Sequence, residues 1–175
     1  MGNEPGKKGK LMGREVLWVK PSIWRREYLM LVDGEQQARL TFHSWFSNQV
    51  SVSGLGQYWI FNRKGWFRQE IVTEDVDLKT VSHPFRYHWT GGGRLYLDDG
   101  EVLKFKHGFW GNTSYWETHH GVRLIEFTKR SWLRADTYVD FNPLAAHYAE
   151  LPVLVFLGFY LRLLREQDSA AAAGA

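Results

Sequence analysis

Along residues 15–141 apolar positions come in short runs that alternate with polar ones, the period-two pattern of half-buried strands. The runs fall at 16–19, 28–32, 38–43, 50–53, 58–62, 69–72, 76–80, 85–89, 94–98, 102–106, 113–117, 122–128 and 135–141. Turn residues separate them: Asp33-Gly34, Gly54-Leu55-Gly56, Gly91-Gly92-Gly93, Asp99-Gly100 and His120-Gly121. About twelve strands, mostly joined by hairpins, are predicted. The pattern changes after Pro143. Residues 151–164 are apolar on every side, Pro152 suits a first helical turn, and a helix follows whose surroundings must be protein or lipid.

The strand region repeats itself. Tyr28-Leu-Met-Leu-Val-Asp-Gly-Glu35 aligns with Arg94-Leu-Tyr-Leu-Asp-Asp-Gly-Glu101, and Phe42 with Phe105. Ser44-Trp-Phe-Ser-Asn48 then aligns with Gly108-Phe-Trp-Gly-Asn112, and Phe61-Asn-Arg-Lys-Gly-Trp-Phe67 with Phe127-Thr-Lys-Arg-Ser-Trp-Leu133. Four matches in order predict two similar halves that cover each other's apolar faces, by stacking or by closing into one barrel. A helix over 151–164 spans only ~21 Å at ~1.5 Å per residue, short of the ~30 Å bilayer core. Arg162 and Arg165 shorten the clean apolar stretch further, although long stems let them snorkel. The expected fold is therefore mainly β: a closed antiparallel barrel of about twelve strands with a hydrophobic C-terminal helix, about 145–166, through its centre. A tail anchor using 151–164 is the alternative. The expected layout is a flexible arm over 1–14, one domain over 15–166 and a disordered Ala-rich tail over 167–175.

Duplicated halves of this kind followed by an apolar helix resemble the tubby C-terminal-like superfamily, which includes phospholipid scramblases and LURP-related proteins. The residues that carry the resemblance are Ser44-Trp45-Phe46-Ser47-Asn48, Gly108-Phe109-Trp110-Gly111-Asn112, Trp89-Thr-Gly-Gly-Gly93 and the stretch 151–164. The resemblance implies a barrel wrapped around its terminal helix, a non-enzymatic module, and contact with phospholipid head groups or a regulatory partner. Calcium is not carried over. The stretch preceding the helix, Asp136-Thr-Tyr-Val-Asp140-Phe-Asn-Pro143, holds two carboxylates and lacks the alternating oxygen ligands of a calcium loop.

Composition narrows the chemistry. The chain of 175 residues contains 9 Trp, 8 Tyr and 11 Phe, a 16% aromatic content that favours strands. Cysteine is absent, which excludes disulfides and thiolate chemistry. The net charge of +3 allows anionic partners but lacks the dense basic stripe of a nucleic-acid binder. Arg63-Lys64-Gly65-Trp66-Phe67-Arg68 and Lys129-Arg130-Ser131-Trp132-Leu133-Arg134 place three cations around an aromatic pair in both repeats. Such donors suit phosphate oxygens, and Trp suits a membrane interface. Arg63, Lys64, Trp66, Arg68, Lys129, Arg130, Trp132 and Arg134 are the candidate lipid head-group site. Solvated cations around tryptophans that plug the barrel end are the plainer reading of the same residues.

No metal, cofactor or catalytic residue is nominated. His119 and His120 are adjacent and would face opposite ways on a strand, and no third ligand stands at a known spacing. Gly91-Gly92-Gly93 leads into a strand rather than a helix, so it reads as a hairpin and not a phosphate loop. A small-molecule binder or hydrolase on an open barrel would need a polar cavity. The start of the chain is polar and shows neither a secretory signal nor a myristoylation pattern. The expected address is cytoplasmic, peripheral at the inner membrane face, with a monomer as default.

Overall fold

The computed structural model describes residues 11–43, 49–64, 70–75, 80–88, 92–130 and 136–174, with backbone alone for residues 70, 72–75 and 80–83. The strands are β1 (Val16–Val19), β2 (Glu27–Val32), β3 (Glu35–Phe42), β4 (Gln49–Gly54), β5 (Gln57–Lys64) and β6 (Glu70–Asp75). They continue as β7 (Thr80–Tyr87), β8 (Gly93–Tyr96), β9 (Val102–His107), β10 (Thr113–Glu117), β11 (Arg123–Lys129) and β12 (Thr137–Phe141). A 3₁₀ turn, Pro143–His147, leads to one helix, α1 (Leu151–Ala173).

The mainly β reading with one C-terminal helix holds. All strand pairs are antiparallel and sequential neighbours pair, while β1 pairs with β12 as well as with β2, so the order returns on itself. Side chains alternate along β3: Ala38, Leu40 and Phe42 point inward while Arg39 faces out. The Asp33-Gly34 turn forms as its sequence predicts, with φ of 50° and 83°, the paired left-handed residues of a two-residue hairpin. The run at 76–80 falls largely on residues outside the described set.

Two of the four repeat matches keep the same face: Phe42 and Phe105 are both buried, as are Phe61 and Phe127, and Leu40 and Leu103, two residues before the Phe42/Phe105 pair, are buried alike. The match at 44–48 lies outside the described residues. The first match is out of phase. It sets Met30 beside Tyr96, yet Met30 and Val32 are the buried residues of β2, and Leu95 and Leu97 are buried in and after β8. A bulge at Met30/Leu31 and a longer turn before β9 absorb the shift of one residue.

Every residue of α1 from Leu151 to Leu164 is buried, which explains why this stretch has no polar side. An eight-stranded barrel is just filled by its own side chains, and twelve strands leave room for a helix ~10 Å across. Rings fill the space that remains. Trp18 stacks on Phe159 at 4.4 Å, Phe61 lies against Tyr160 at 5.7 Å, and Phe105 packs on Trp116 at 4.9 Å. Buried aromatics such as Trp18, Phe61, Phe105, Trp116 and Phe159 are the filling between helix and wall.

One contact keys the helix to the wall. Trp116 Nε1 donates to the Leu154 carbonyl at 2.8 Å, and Gly158 stands one turn further along. A Cβ at Gly158 would lie 2.5 Å from the Phe127 ring and 2.6 Å from Trp116 Nε1. Glycine is thus retained inside a helix because two barrel rings occupy the place of its side chain.

The ends of the chain differ from expectation. The helix starts at Leu151 rather than near residue 145, because Asn142 caps the 3₁₀ turn by accepting from the Leu144 amide. It runs past Glu166 to Ala173, since alanines are the strongest helix formers and extend a helix already nucleated. Leu11 is fully buried in the core and Arg14 pairs with Asp33, so packing begins ahead of Glu15. Among the described residues, no helix is long and apolar enough to cross a membrane.

Gly158→Ala should lower stability by about 1–3 kcal/mol in urea unfolding, because overpacking outweighs the ~1 kcal/mol that alanine gains in helix propensity. An unchanged or higher midpoint would show that the rings yield to a methyl group.

Candidate functional site

Antiparallel order sorts the connections between two ends of the barrel. The end from which α1 emerges carries basic residues on four separate elements. The β1–β2 connection supplies Lys20, Arg25 and Arg26, β5 ends in Arg63-Lys64, β11 ends in Lys129-Arg130, and α1 adds Arg162 and Arg165. Glu27, Asp136, Glu166 and Asp168 are carboxylates described there. The opposite end is richer in acid: Asp33, Glu35, Asp98, Asp99, Glu101 and Glu150 lie in or beside its turns. Large apolar side chains follow the basic charge. Ile23, Trp24, Phe109 and Trp110 are 78%, 85%, 93% and 86% exposed, and all four sit in the β1–β2 and β9–β10 connections of the basic end.

The predicted residues divide by strand alternation. Arg63 and Lys129, at matching places in the repeats, both reach the emerging helix: Arg63 Nη1 lies 3.4 Å from Asp168, and Lys129 Nζ lies 3.6 Å from Glu166. The Arg63 guanidinium also covers the Tyr87 ring at 5.2 Å. Their neighbours Lys64 and Arg130 are exposed, and Arg130 covers the Tyr138 ring at 4.0 Å. Trp66, Arg68, Trp132 and Arg134 lie outside the described residues.

A second set of cations was not predicted as a site. Between the Trp110–Asn112 turn, Lys129 and one side of α1 lies a cleft of about 470 Å³. Arg162, Arg165 and Glu166 line it. Arg162 is only 2% exposed. Its Nη2 donates to Glu166 at 3.2 Å and its Nη1 to Ser114 Oγ at 3.4 Å. The Ser114 hydroxyl in turn meets His107 Nδ1 at 2.8 Å. Arg162 Nε and Arg165 Nη1 are buried with no hydrogen-bond partner among the described residues. Burial pushes Arg162 below its ordinary pKa, and the nearby Arg165 acts the same way against the opposing pull of Glu166. The available signal was an arginine one turn inside a run apolar on all sides. The Phe109-Trp110 pair was legible only as a repeat motif.

The other candidates carry no site. Among the described residues no group of three His, Asp or Glu side chains could hold a metal ion. His119 and His120 lie against each other, rings 3.6 Å apart, in the exposed turn before β11. Glu117 pairs with Lys106 rather than with a histidine. No protein-family model matches the chain, and no curated protein or solved structure matches it either.

A buried guanidinium whose donors are only partly used costs stability, and an apolar side chain of similar length often does better. Arg162→Met should therefore leave the urea midpoint unchanged or raise stability by about 1–2 kcal/mol. A clear fall would mean that the arginine is retained for stability alone. Three tyrosines around the helix exit give a pH signature. Burial raises Tyr28, Tyr87 and Tyr160 above the ordinary value of 10, with Glu166 adding to the effect at Tyr28 and Asp168 at Tyr87. The folded state holds these protons more tightly than the unfolded one, so this stability is complete below about pH 10 and is lost as pH rises further. The urea midpoint should fall above pH 10. Absorbance at 295 nm should show some tyrosines ionising only as the fold opens.

Proposed function

We propose that this chain is a non-enzymatic, tubby-like module whose basic, aromatic end docks peripherally on anionic phospholipid. The observation that carries the reading is that, among the described residues, the four most exposed large apolar side chains all lie at the basic end of the molecule. Scattered surface hydrophobes are ordinary, but a patch rimmed by one sign of charge marks an interaction surface. Tryptophan settles at the head-group level, where an apolar ring meets water. Each lysine or arginine near an anionic surface adds ~1 kcal/mol, so several acting together give reversible attachment. The acid-rich opposite end would be repelled, which orients the molecule with α1's exit toward the lipid.

The tubby-like part of the reading draws support from the closed order of twelve strands around α1 and from the Gly108–Asn112 turn, which presents Phe109 and Trp110. The enclosed helix also favours a surface role over a tail anchor, since residues 151–164 are already covered by protein. A cytoplasmic address at the inner membrane face fits a surface that seeks anionic lipid.

The test is co-sedimentation with phosphatidylserine vesicles at low and high salt. Wild type should pellet at low salt and be released as the Debye length shrinks below ~8 Å. Lys64→Glu with Arg130→Glu should abolish binding. This pair is chosen because both residues are exposed, whereas Arg63 holds Asp168 on the helix. Trp24→Ser with Trp110→Ser should weaken binding at both salt concentrations. Wild type left in the supernatant at low salt, or charge reversals without effect, would refute the reading.

A further inference from the structure

The cleft beside α1 holds more donors than its own residues use. Lys129, Arg162 and Arg165 line it, and Glu166 is the one carboxylate among its lining residues. Glu166 lies between two of those cations, 3.2 Å from Arg162 Nη2 and 3.6 Å from Lys129 Nζ. Its side chain is 41% exposed, so it can swing into water at small cost. Arg162 cannot move likewise, being 2% exposed and tied to Ser114. Its Nε, and Nη1 of Arg165, are buried donors without partners among the described residues. Leaving such donors unpaired is costly, and that cost disappears when an acceptor arrives.

We infer that this cleft is a binding site for a phosphomonoester, in which the phosphate displaces Glu166 from Arg162 and Lys129. A phosphate dianion supplies several acceptor oxygens and the negative charge that three cations and one carboxylate lack. Arginine matches phosphate with paired donors on a planar fork, which suits the fixed Arg162 better than a lone ammonium would. The volume of about 470 Å³ exceeds a bare phosphate and admits a small group esterified to it. Gly111, at φ 74°, favours the turn through its left-handed backbone, and a Cβ there would meet Arg165 Nη2 at ordinary contact distance. Glu166 therefore acts as a resident substitute anion, holding the cations in place until the ligand replaces it.

The cleft shares Trp110 with the aromatic rim but not Ile23, Trp24 or Phe109, so substitutions at those residues let the two readings fail separately. The full chain is titrated calorimetrically with sn-glycerol 3-phosphate, a soluble phosphomonoester. In parallel it is sedimented with phosphatidylcholine vesicles doped with either phosphatidic acid or phosphatidylserine at matched surface charge. Lys129→Ala with Arg165→Ala should weaken phosphomonoester binding by about tenfold or more, as expected for losing charge-assisted hydrogen bonds. Glu166→Gln should tighten it about threefold or more, because a like charge stops competing. A purely structural role for Glu166 predicts no gain. Binding should also weaken between pH 7.5 and 5.5 as the phosphate gains a proton near its second pKa of ~6. Equal binding of glycerol 3-phosphate and phosphatidic acid assigns a soluble ligand, and binding of phosphatidic acid alone, above phosphatidylserine, assigns a lipid head group. Ile23→Ser with Trp24→Ser, both in the β1–β2 connection and neither lining the cleft, should leave the soluble titration intact. Absence of heat with glycerol 3-phosphate together with equal sedimentation on the two anionic lipids overturns the site. So does a Glu166→Gln variant that binds no more tightly than wild type.

Discussion

The rest of the molecule depends on burying a helix that has no polar side. Fourteen consecutive residues of α1, Leu151 to Leu164, have no solvent-facing stripe, so the helix is stable in water only while a wall surrounds it. The wall has the converse need, because its inward side chains cannot close on an empty axis. Trp116 fixes how the two fit. Its indole reaches the Leu154 carbonyl beside Gly158, and this sets both the height and the rotation of the helix. With that register fixed, the rings of Phe156, Phe159 and Tyr160 meet wall aromatics, and Arg162, Arg165 and Glu166 arrive at the rim. The placement of the candidate site follows from a packing contact made well inside the barrel.

The strand pattern was legible because each strand has one wet and one dry face, and alternation records that directly. The apolar tail was legible for the opposite reason, as its lack of alternation records complete enclosure. The phase of the first repeat match was not legible. Similar letters in β2 and β8 hide a bulge at Met30/Leu31, and a one-residue slip in a strand reverses every side chain. The helix limits were missed where local chemistry decided them, at Asn142's cap and along the alanines beyond Asp168.

The site was half legible. Arg63 and Lys129 stood out because their surroundings repeat, yet their partners Asp168 and Glu166 lie on α1, far along the chain. Those ion pairs tie the two matching strand ends to one helix. Arg162 had the opposite difficulty. Its letter promised a long stem reaching water, and only the arrangement of Ser114, Glu166 and the barrel rim makes it a buried donor. Charge that is solvated and charge that is enclosed are written with the same residue, and the difference lies in neighbours from four elements.

The order of the elements along the chain has a kinetic consequence. The described strands all precede the helix they surround, and β1 must find β12, with Val16 beside Val139. During synthesis the wall is therefore made before anything exists to fill it, and its inward rings face water or one another until α1 is complete. Non-local pairings of this kind form slowly. The interval leaves exposed edges and aromatic surface on a nascent chain, the circumstances in which chaperones are engaged and hairpins pair with the wrong neighbours. Arrival of α1 would then act as the closing step, converting a loose set of hairpins into a cooperative unit in which no strand leaves without the helix.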